Sequence, residues 1–245
     1  MIAYLTSHIG GSYIENGTRI PTQLSTDNGL LDSLQKHWKD NSKVLILSAD
    51  AANIEKNDSI RNTFAASFPM SGLSVSQMCI CDSRNEILAD KISDYDVLIL
   101  AGGHVPTQNK FFERIHLKDR MSGYDGILIG ISAGTMNSAE IVYAQPELEG
   151  ESIDKEYERF LFGLGITKLM IIPHYQAIKD ELLDGRRLFE DITYPDSYGR
   201  EFYALEDGSY VMIENKITTL FGAAYLIKDG NRKQICEKDK SICIT

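Results

Sequence analysis

A single serine lies between two glycines in the segment GISAG, residues 130–134. The apolar run before it favours a buried strand, and the residues after it are compatible with a helix. A Gly-x-Ser-x-Gly pattern in that context is typical of a nucleophile elbow, in which a sharp turn presents the serine at the carboxyl edge of a sheet. The N–H groups and positive dipole end of the following helix would suit an oxyanion there. Ser132 is therefore a candidate nucleophile, although the bare pattern also fits an ordinary strand-to-helix turn.

A serine nucleophile usually needs a base, and histidine is the commonest one. Of the five histidines only His174 lies downstream of Ser132, and it follows a predicted buried strand, residues 169–172. Catalytic groups in open α/β sheets collect at the carboxyl ends of strands, which makes His174 the candidate base. A strand-end histidine bonded to the backbone is the ordinary alternative. His104 follows another predicted strand end and can approach the same cleft.

The base needs an acid that fixes its tautomer and supports the imidazolium. Glu206 and Asp207 follow a predicted strand directly before a glycine. Asp-Gly is also a common hairpin turn that needs no catalytic explanation, and Glu140 and Glu147 lie closer to the serine in sequence. The order serine, histidine, acid differs from that of α/β-hydrolases, which disfavours an ordinary lipase or esterase.

The elements that must position these groups follow an alternating pattern. Residues 44–47 and 97–100 are continuously apolar, as is typical of parallel strands covered on both faces. Segments with helical spacing separate the strands, and this alternation predicts βαβ units in a doubly wound, mostly parallel sheet with helices on both faces. The strands predicted in this part are residues 2–6, 43–48, 75–81, 95–100 and 127–131.

The pattern changes after residue 165. A helical segment is predicted after His174, extending through Phe189. Apolar runs at residues 202–205, 210–213 and 223–227, separated by turn signals, predict antiparallel hairpins at one edge of the sheet near the C-terminus. No repeat, low-complexity tract or linker divides the chain, so we expect one α/β domain over residues 1–245.

Composition excludes some partners and compartments. The formal net charge of −10 argues against nucleic acid or an anionic membrane surface as the main partner. The N-terminal segment lacks the pattern of a secretory signal, and no run of about 18 apolar residues predicts a membrane span. The four cysteines show no metal-binding spacing and are expected to be free thiols, which favours a cytoplasmic location.

Four motifs together resemble the peptidase E family, the aspartyl dipeptidase branch of a serine peptidase family that also includes cyanophycinase. They are AGGHVPTQ (101–108), GISAGTMN (130–137), IIPHY (171–175) and ALEDGS (204–209). The resemblance extends over nearly the whole chain. It implies a fold like that of class I glutamine amidotransferases and a serine peptidase that needs no metal or cofactor. It also implies short peptide substrates, including dipeptides with an N-terminal aspartate, and we expect a monomer or a homodimer.

The resemblance assigns a catalytic role to residues at matching positions. Ser132 falls on the family's nucleophile and His174 on its base. Asp207 falls on the orienting acid, where the family usually has glutamate, and the adjacent Glu206 is the alternative acid. A glutaminase-type amidotransferase is disfavoured, because such relatives have cysteine at the position of Ser132.

The resemblance also implies binding groups. The backbone N–H groups of Gly103 and Ala133 would hold the oxyanion. His104 replaces the asparagine of the family's turn and is a candidate substrate contact. The family recognises an N-terminal aspartate through an arginine after the catalytic histidine. Arg186 and Arg187 lie two or three residues beyond that position; either can clamp a carboxylate, although a solvated helix face explains them equally well.

Two alternatives to a dipeptidase remain open. One keeps the same triad but hydrolyses isopeptide or β-aspartyl bonds, as cyanophycinase does. The other is a catalytically silent relative that binds a ligand on the same scaffold, which the altered turn at residues 101–108 and the unassigned acid would permit.

Overall fold

The structure, a computed structural model, describes residues 1–244. The strands are β1 (Ile2–Thr6), β2 (Gly10–Glu15), β3 (Thr18–Leu24), β4 (Ser42–Leu47), β5 (Val75–Cys81), β6 (Val97–Leu100), β7 (Ile127–Ile131), β8 (Ile141–Tyr143), β9 (Phe160–Phe162), β10 (Met170–Ile172), β11 (Leu182–Leu183), β12 (Arg186–Arg187), β13 (Glu201–Leu205), β14 (Tyr210–Glu214), β15 (Ile217–Phe221), β16 (Ala224–Lys228), β17 (Asn231–Cys236) and β18 (Ser241–Ile244). The α-helices are α1 (Leu30–His37), α2 (Ile54–Met70), α3 (Val105–Arg114), α4 (Leu117–Arg120), α5 (Ala133–Asn137), α6 (Tyr175–Ile178) and α7 (Tyr194–Asp196). Two 3₁₀ segments, Asp27–Gly29 and Glu86–Asp94, and a π-helical turn, Leu188–Thr193, complete the elements.

The central sheet has the order β18-β15-β14-β1-β7-β6-β4-β5. Five neighbouring strands of this sheet are parallel: β1, β7, β6, β4 and β5. Strands β14, β15 and β18 extend it with antiparallel pairs. Alternate residues of β4 enter two separate cores. Val44 and Ile46 pack with α1 and α2, whereas Leu45 and Leu47 pack on the opposite face with α3. The predicted doubly wound, mostly parallel sheet is confirmed, and burial on both faces explains its continuously apolar strands.

A second sheet has the order β10-β13-β16-β17, and β10 is parallel to β13. The prediction that all C-terminal hairpins lie at one edge of one sheet was therefore wrong. The β14–β15 hairpin extends the central sheet, whereas β13 and β16 pair in the second sheet. The connection from β13 to β14 consequently crosses between the two sheets. Asp207-Gly208 lies in that crossing and is not the turn of a hairpin.

The segment after His174 is not the single helix that its spacing predicted. Only α6 is helical before the β11–β12 hairpin, and the π-helical turn follows it. Asp184 and Gly185 both have positive φ, 53° and 77°, which favours a two-residue hairpin turn over a continuing helix. The Asp184 carboxylate also accepts hydrogen bonds from the N–H groups of Gly150 and Ser152, at 2.8 and 3.1 Å, which fixes the turn.

The hairpin of β2 and β3 was not predicted from the sequence. Its turn is Asn16-Gly17, both with positive φ, the strongest short hairpin signal available in a sequence. The hairpin packs on α2, where the Ser71 hydroxyl accepts a 2.8 Å hydrogen bond from the Leu24 N–H. It therefore adds one wall to the carboxyl edge of the central sheet, where the candidate site lies.

Two general properties complete the description. No helix within residues 1–244 has both the length and the apolar character needed to cross a membrane. The four cysteines are free; Cys81 and Cys236 are buried, Cys79 is half-buried and Cys243 is exposed.

Candidate active site

Ser132 occupies a strained turn between β7 and α5. Its φ and ψ are +50° and −111°, a conformation that residues other than glycine rarely adopt and that typically costs about 1–3 kcal/mol. Two hydrogen bonds hold the turn: the Ser132 N–H donates to the Thr6 carbonyl at 3.1 Å, and its carbonyl accepts from Met136 N–H at 3.0 Å. This geometry is compatible with the predicted nucleophile elbow.

The two flanking glycines provide room for the turn to pack. A Cβ at Gly134 would lie 2.2 Å from the Leu100 carbonyl oxygen, at the end of neighbouring strand β6. A Cβ at Gly130 would lie 3.0 Å from Thr135, in the helix that follows the serine. Glycine is required here by close approach, because any side chain would push α5 away from the sheet.

The change Gly134→Ala is expected to destabilise the protein by about 3 kcal/mol or more, since overpacking against a backbone carbonyl cannot be relieved by a rotamer change. Denaturant unfolding measures the difference. Gly123→Ala is the matched control: a Cβ there meets nothing within 4 Å, and only its positive φ of 78° opposes alanine. A left-handed conformation costs about 1–2 kcal/mol, so equal losses in the two variants would contradict the packing argument.

His174 and Asp207 are brought together by the parallel pairing of β10 and β13. Ile172 is the register partner of Ala204, so the carboxyl ends of the two strands lie side by side. His174 follows one end and Asp207 the other, and His174 Nδ1 lies 2.6 Å from Asp207 Oδ1. Since an ionised carboxylate can only accept, Nδ1 carries the proton, and Nε2 is left as an acceptor for a serine hydroxyl.

Two residues that the sequence did not indicate hold this pair in place. Ser7, at the end of β1, donates from its hydroxyl to Asp207 Oδ1 at 2.8 Å and accepts the His174 N–H at 2.7 Å. Gln176 donates from Nε2 to Asp207 Oδ2 at 2.7 Å and accepts the Asp207 N–H at 2.9 Å. The carboxylate therefore has three side-chain donors, which fix its orientation.

The Asp207 carboxyl remains ionised at neutral pH. Burial alone would raise its pKa, but the hydrogen bond and positive charge of His174, with the hydrogen bonds of Ser7 and Gln176, bring the pKa to about 2. An ionised Asp207 can support a positive charge on the imidazole of His174.

Glu206 points away from His174. Its Oε1 accepts a 3.0 Å hydrogen bond from the Tyr225 hydroxyl, and its N–H donates to the Ala223 carbonyl within the second sheet. Of the two adjacent acids, only Asp207 contacts the histidine.

Ser132 and His174 line the same two cavities. One has a volume of about 360 Å³ and the other about 110 Å³, and Gly103, Ser132 and His174 line both. Within residues 1–244 no hydrogen bond joins the Ser132 hydroxyl to His174. Catalytic hydrogen bonds are often long in unliganded sites and shorten when substrate binds. An unbonded Ser132 hydroxyl is therefore consistent with His174 as its base.

Two backbone N–H groups lie free beside the serine. Within the described chain the amides of Gly103 and Ala133 donate to no acceptor, as donors awaiting an oxyanion would. The turn that carries Gly103 is held by Gln108, whose buried side chain donates to the Ala101 carbonyl at 2.7 Å. Because α5 has only five residues, these amides themselves, rather than a long helix dipole, would stabilise negative charge.

The three predicted substrate contacts line neither cavity. His104 is held between Thr107 Oγ1 and Glu151 Oε1, each at 2.8 Å. Arg187 is paired with Asp191 at 2.7 Å, and Arg186 is exposed on the β11–β12 hairpin. Their roles in binding remain predictions without a contact to support them.

Two acids and two cations that the sequence did not assign to substrate binding lie at the cavities. Glu147, considered above only as a possible third triad member, lines the smaller cavity with Glu181, whereas Glu140 lines neither. Arg19 and Lys56 line the larger one. Each comes from a different part of the chain, so no local pattern marks them as neighbours.

The fold and the site define an α/β protein with a serine elbow and a histidine–carboxylate pair at the carboxyl edge of its sheets. Within that class the chain belongs to Peptidase family S51, whose family model matches residues 21–221. It is therefore a member of a peptidase family.

Comparisons with solved structures give the same fold. The chain is similar to a peptidase from an acI-B1 Actinobacterium, with a TM-score of 0.63 and 14% identity over 99% of this chain and 96% of the other. It is also similar to a putative peptidase E protein from Listeria monocytogenes EGD-e, with a TM-score of 0.58 and 13% identity over 96% and 98% of the two chains. A comparison with curated protein sequences found no significant match.

Proposed function

We propose that this protein is a serine peptidase of short peptides that works through Ser132, His174 and Asp207. The observation that supports the proposal most directly is the 2.6 Å contact between His174 and Asp207, beside a serine in a strained elbow. A buried structural histidine would not require a strained serine opposite it. Strain of this kind is concentrated at functional sites.

The reaction follows from the positions of these atoms. His174 Nε2 takes the proton of the Ser132 hydroxyl as Oγ attacks the scissile carbonyl carbon. The carbonyl oxygen becomes an oxyanion that the Gly103 and Ala133 N–H groups bind. The imidazolium, supported by Asp207, then gives its proton to the departing amine, and the acyl group stays on Oγ. Water attacks the acyl-enzyme with His174 again as base, which releases the carboxylic acid and restores the serine.

The charges at the site bear on the substrate's first residue. Glu147 and Glu181 line the smaller cavity, and no lysine or arginine of the described residues does. A peptide with an N-terminal aspartate is the substrate that the family likeness suggests, but a side-chain carboxylate beside these two acids would be repelled.

A hydrolysis profile over dipeptides that differ only at the first residue tests this proposal. We expect neutral and basic first residues to be cleaved faster than aspartate, and covalent labelling of Ser132 by a fluorophosphonate probe. A panel in which only isopeptide-linked or β-aspartyl peptides are cleaved would favour the cyanophycinase-like alternative. A protein that neither cleaves any peptide nor reacts with the probe would overturn the proposal in favour of a silent relative.

A further inference from the structure

The larger cavity at Ser132 is lined by positive charge. Arg19, from β3, and Lys56, from α2, line it. His8 also lines it, and the ring centroids of His8 and His174 are 6.5 Å apart. Among the described residues no carboxylate lines this cavity. The protein as a whole carries a formal net charge of −10, so a cavity of this composition is unlike the average surface.

The two cations have no acidic partner. Arg19 donates to the Ser12 hydroxyl at 2.8 Å, and within residues 1–244 neither Arg19 nor Lys56 forms a salt bridge. Several other cations of this protein are paired with carboxylates, as Arg84 is with Asp58 and Asp82. Two unpaired cations in the same cavity as Ser132 would attract and orient an anionic group of the substrate.

The smaller cavity has the opposite charge. Glu147 and Glu181 line it, and desolvation raises the pKa of Glu147 even though part of its side chain is exposed. His104, His174 and Lys56 act in the opposite direction on the pKa of Glu147. The serine therefore lies between an acidic cavity and a basic one.

We propose that Arg19 and Lys56 bind the C-terminal carboxylate of a short peptide, whose N-terminal ammonium group lies on the side of Glu147 and Glu181. The proposal rests on the proposed peptidase function. A peptide bound in this direction has its N-terminal part, which becomes the acyl group on Ser132, in the smaller cavity. Its C-terminal part, which leaves as the amine, lies in the larger cavity. The volumes of about 110 and 360 Å³ then leave more room for the C-terminal part than for the N-terminal part.

This arrangement makes the cations specificity determinants and leaves the chemical step to the triad. The side chains of Arg19 and Lys56 are both exposed, so dissolved salt screens their charges. Each contact with the carboxylate is therefore weak for a charge-assisted hydrogen bond. Removing one is expected to reduce kcat/KM for a peptide acid roughly tenfold, mainly through KM.

The experiment compares a neutral dipeptide acid with its C-terminal amide in the wild-type protein, Arg19→Gln, Lys56→Gln and the double variant. The wild type should prefer the acid, each single variant should lose part of that preference, and the double variant should cleave acid and amide equally. Lys110→Gln is the matched control, because Lys110 is exposed on α3 and lines neither cavity. Added salt should weaken the preference in the wild type and in this control alike.

A double variant that keeps the full wild-type preference for the acid would overturn the proposal. If the variants change only the preference for aspartate over asparagine in amidated peptides, the subsite binds a side-chain carboxylate and the C-terminal assignment is wrong. Fluorophosphonate labelling separates this failure from that of the proposed function. The probe carries no carboxylate, so it should react with all of these variants at the wild-type rate, and absence of labelling in every one would count against the peptidase itself.

Discussion

Replacing Ser132 by alanine is expected to remove peptide hydrolysis and leave the fold intact. Loss of a nucleophile that acts as a unit with its base typically costs about 10⁴- to 10⁶-fold in kcat. Stability should change by less than about 0.5 kcal/mol, because within residues 1–244 the hydroxyl makes no hydrogen bond and alanine keeps the Cβ. The strain at φ +50° is the same for both residues.

Peptide hydrolysis, fluorophosphonate labelling and thermal unfolding of the purified variant check this expectation together. Ser59→Ala is the matched control, since Ser59 is exposed on α2 and lines neither cavity. It should retain both activity and labelling. Wild-type hydrolysis by Ser132→Ala would remove the serine from the mechanism, whatever the result of labelling.

The parallel part of the central sheet could be predicted because its signal is local. A strand buried on both faces must be apolar at every position, and residues 44–47 and 97–100 satisfy this requirement without reference to any other part of the chain. The predicted strands 2–6 and 127–131 also have the observed bounds and are almost entirely buried. Strand 75–81 has the observed bounds as well, although it is an edge strand and exposes Ser76 and Gln77. Ser132 could be selected as a candidate because its strand and its helix both adjoin it in sequence.

Sheet membership in the C-terminal part could not be predicted in this way. The runs 202–205 and 210–213 look like two arms of a hairpin, yet each pairs with a different sheet. The pairing of strands depends on the packing of elements that are distant in sequence. Neither the alternation of apolar and polar residues nor the turn residues indicates that packing. The same limit left Asp207 ambiguous from the residues alone, because Asp-Gly also suggested a hairpin turn. Its position between the two sheets places it beside His174.

Ser7 and Gln176 were missed for a related reason. The carboxyl-edge argument that selected His174 applies equally to the end of β1, and it would have marked Ser7 as a neighbour of the site. Gln176 could not be found, because its role depends on the left-handed conformation of His174, with φ of 58°, which turns the chain so that residue 176 faces Asp207.

Replacing Asp207 by asparagine should lower kcat by about 10⁴-fold, even though the shape of the side chain is conserved. Three side-chain donors converge on the carboxylate, from His174, Ser7 and Gln176. Asparagine offers one acceptor oxygen and turns an NH₂ group toward the remaining donors. His174 can then relieve the clash by accepting at Nδ1 and carrying its proton on Nε2, where it can no longer take the proton of Ser132.

The adjacent acid provides the control for this experiment. Glu206→Gln removes only the charge opposite the Tyr225 hydroxyl, and its kcat should stay within a few-fold of the wild type. Both variants should still bind substrate, so KM is measured with kcat and thermal unfolding verifies the fold. A large loss in Glu206→Gln with a small one in Asp207→Asn would assign the acid to Glu206. Equal losses would mean that the segment between the two sheets, rather than a single carboxylate, positions His174.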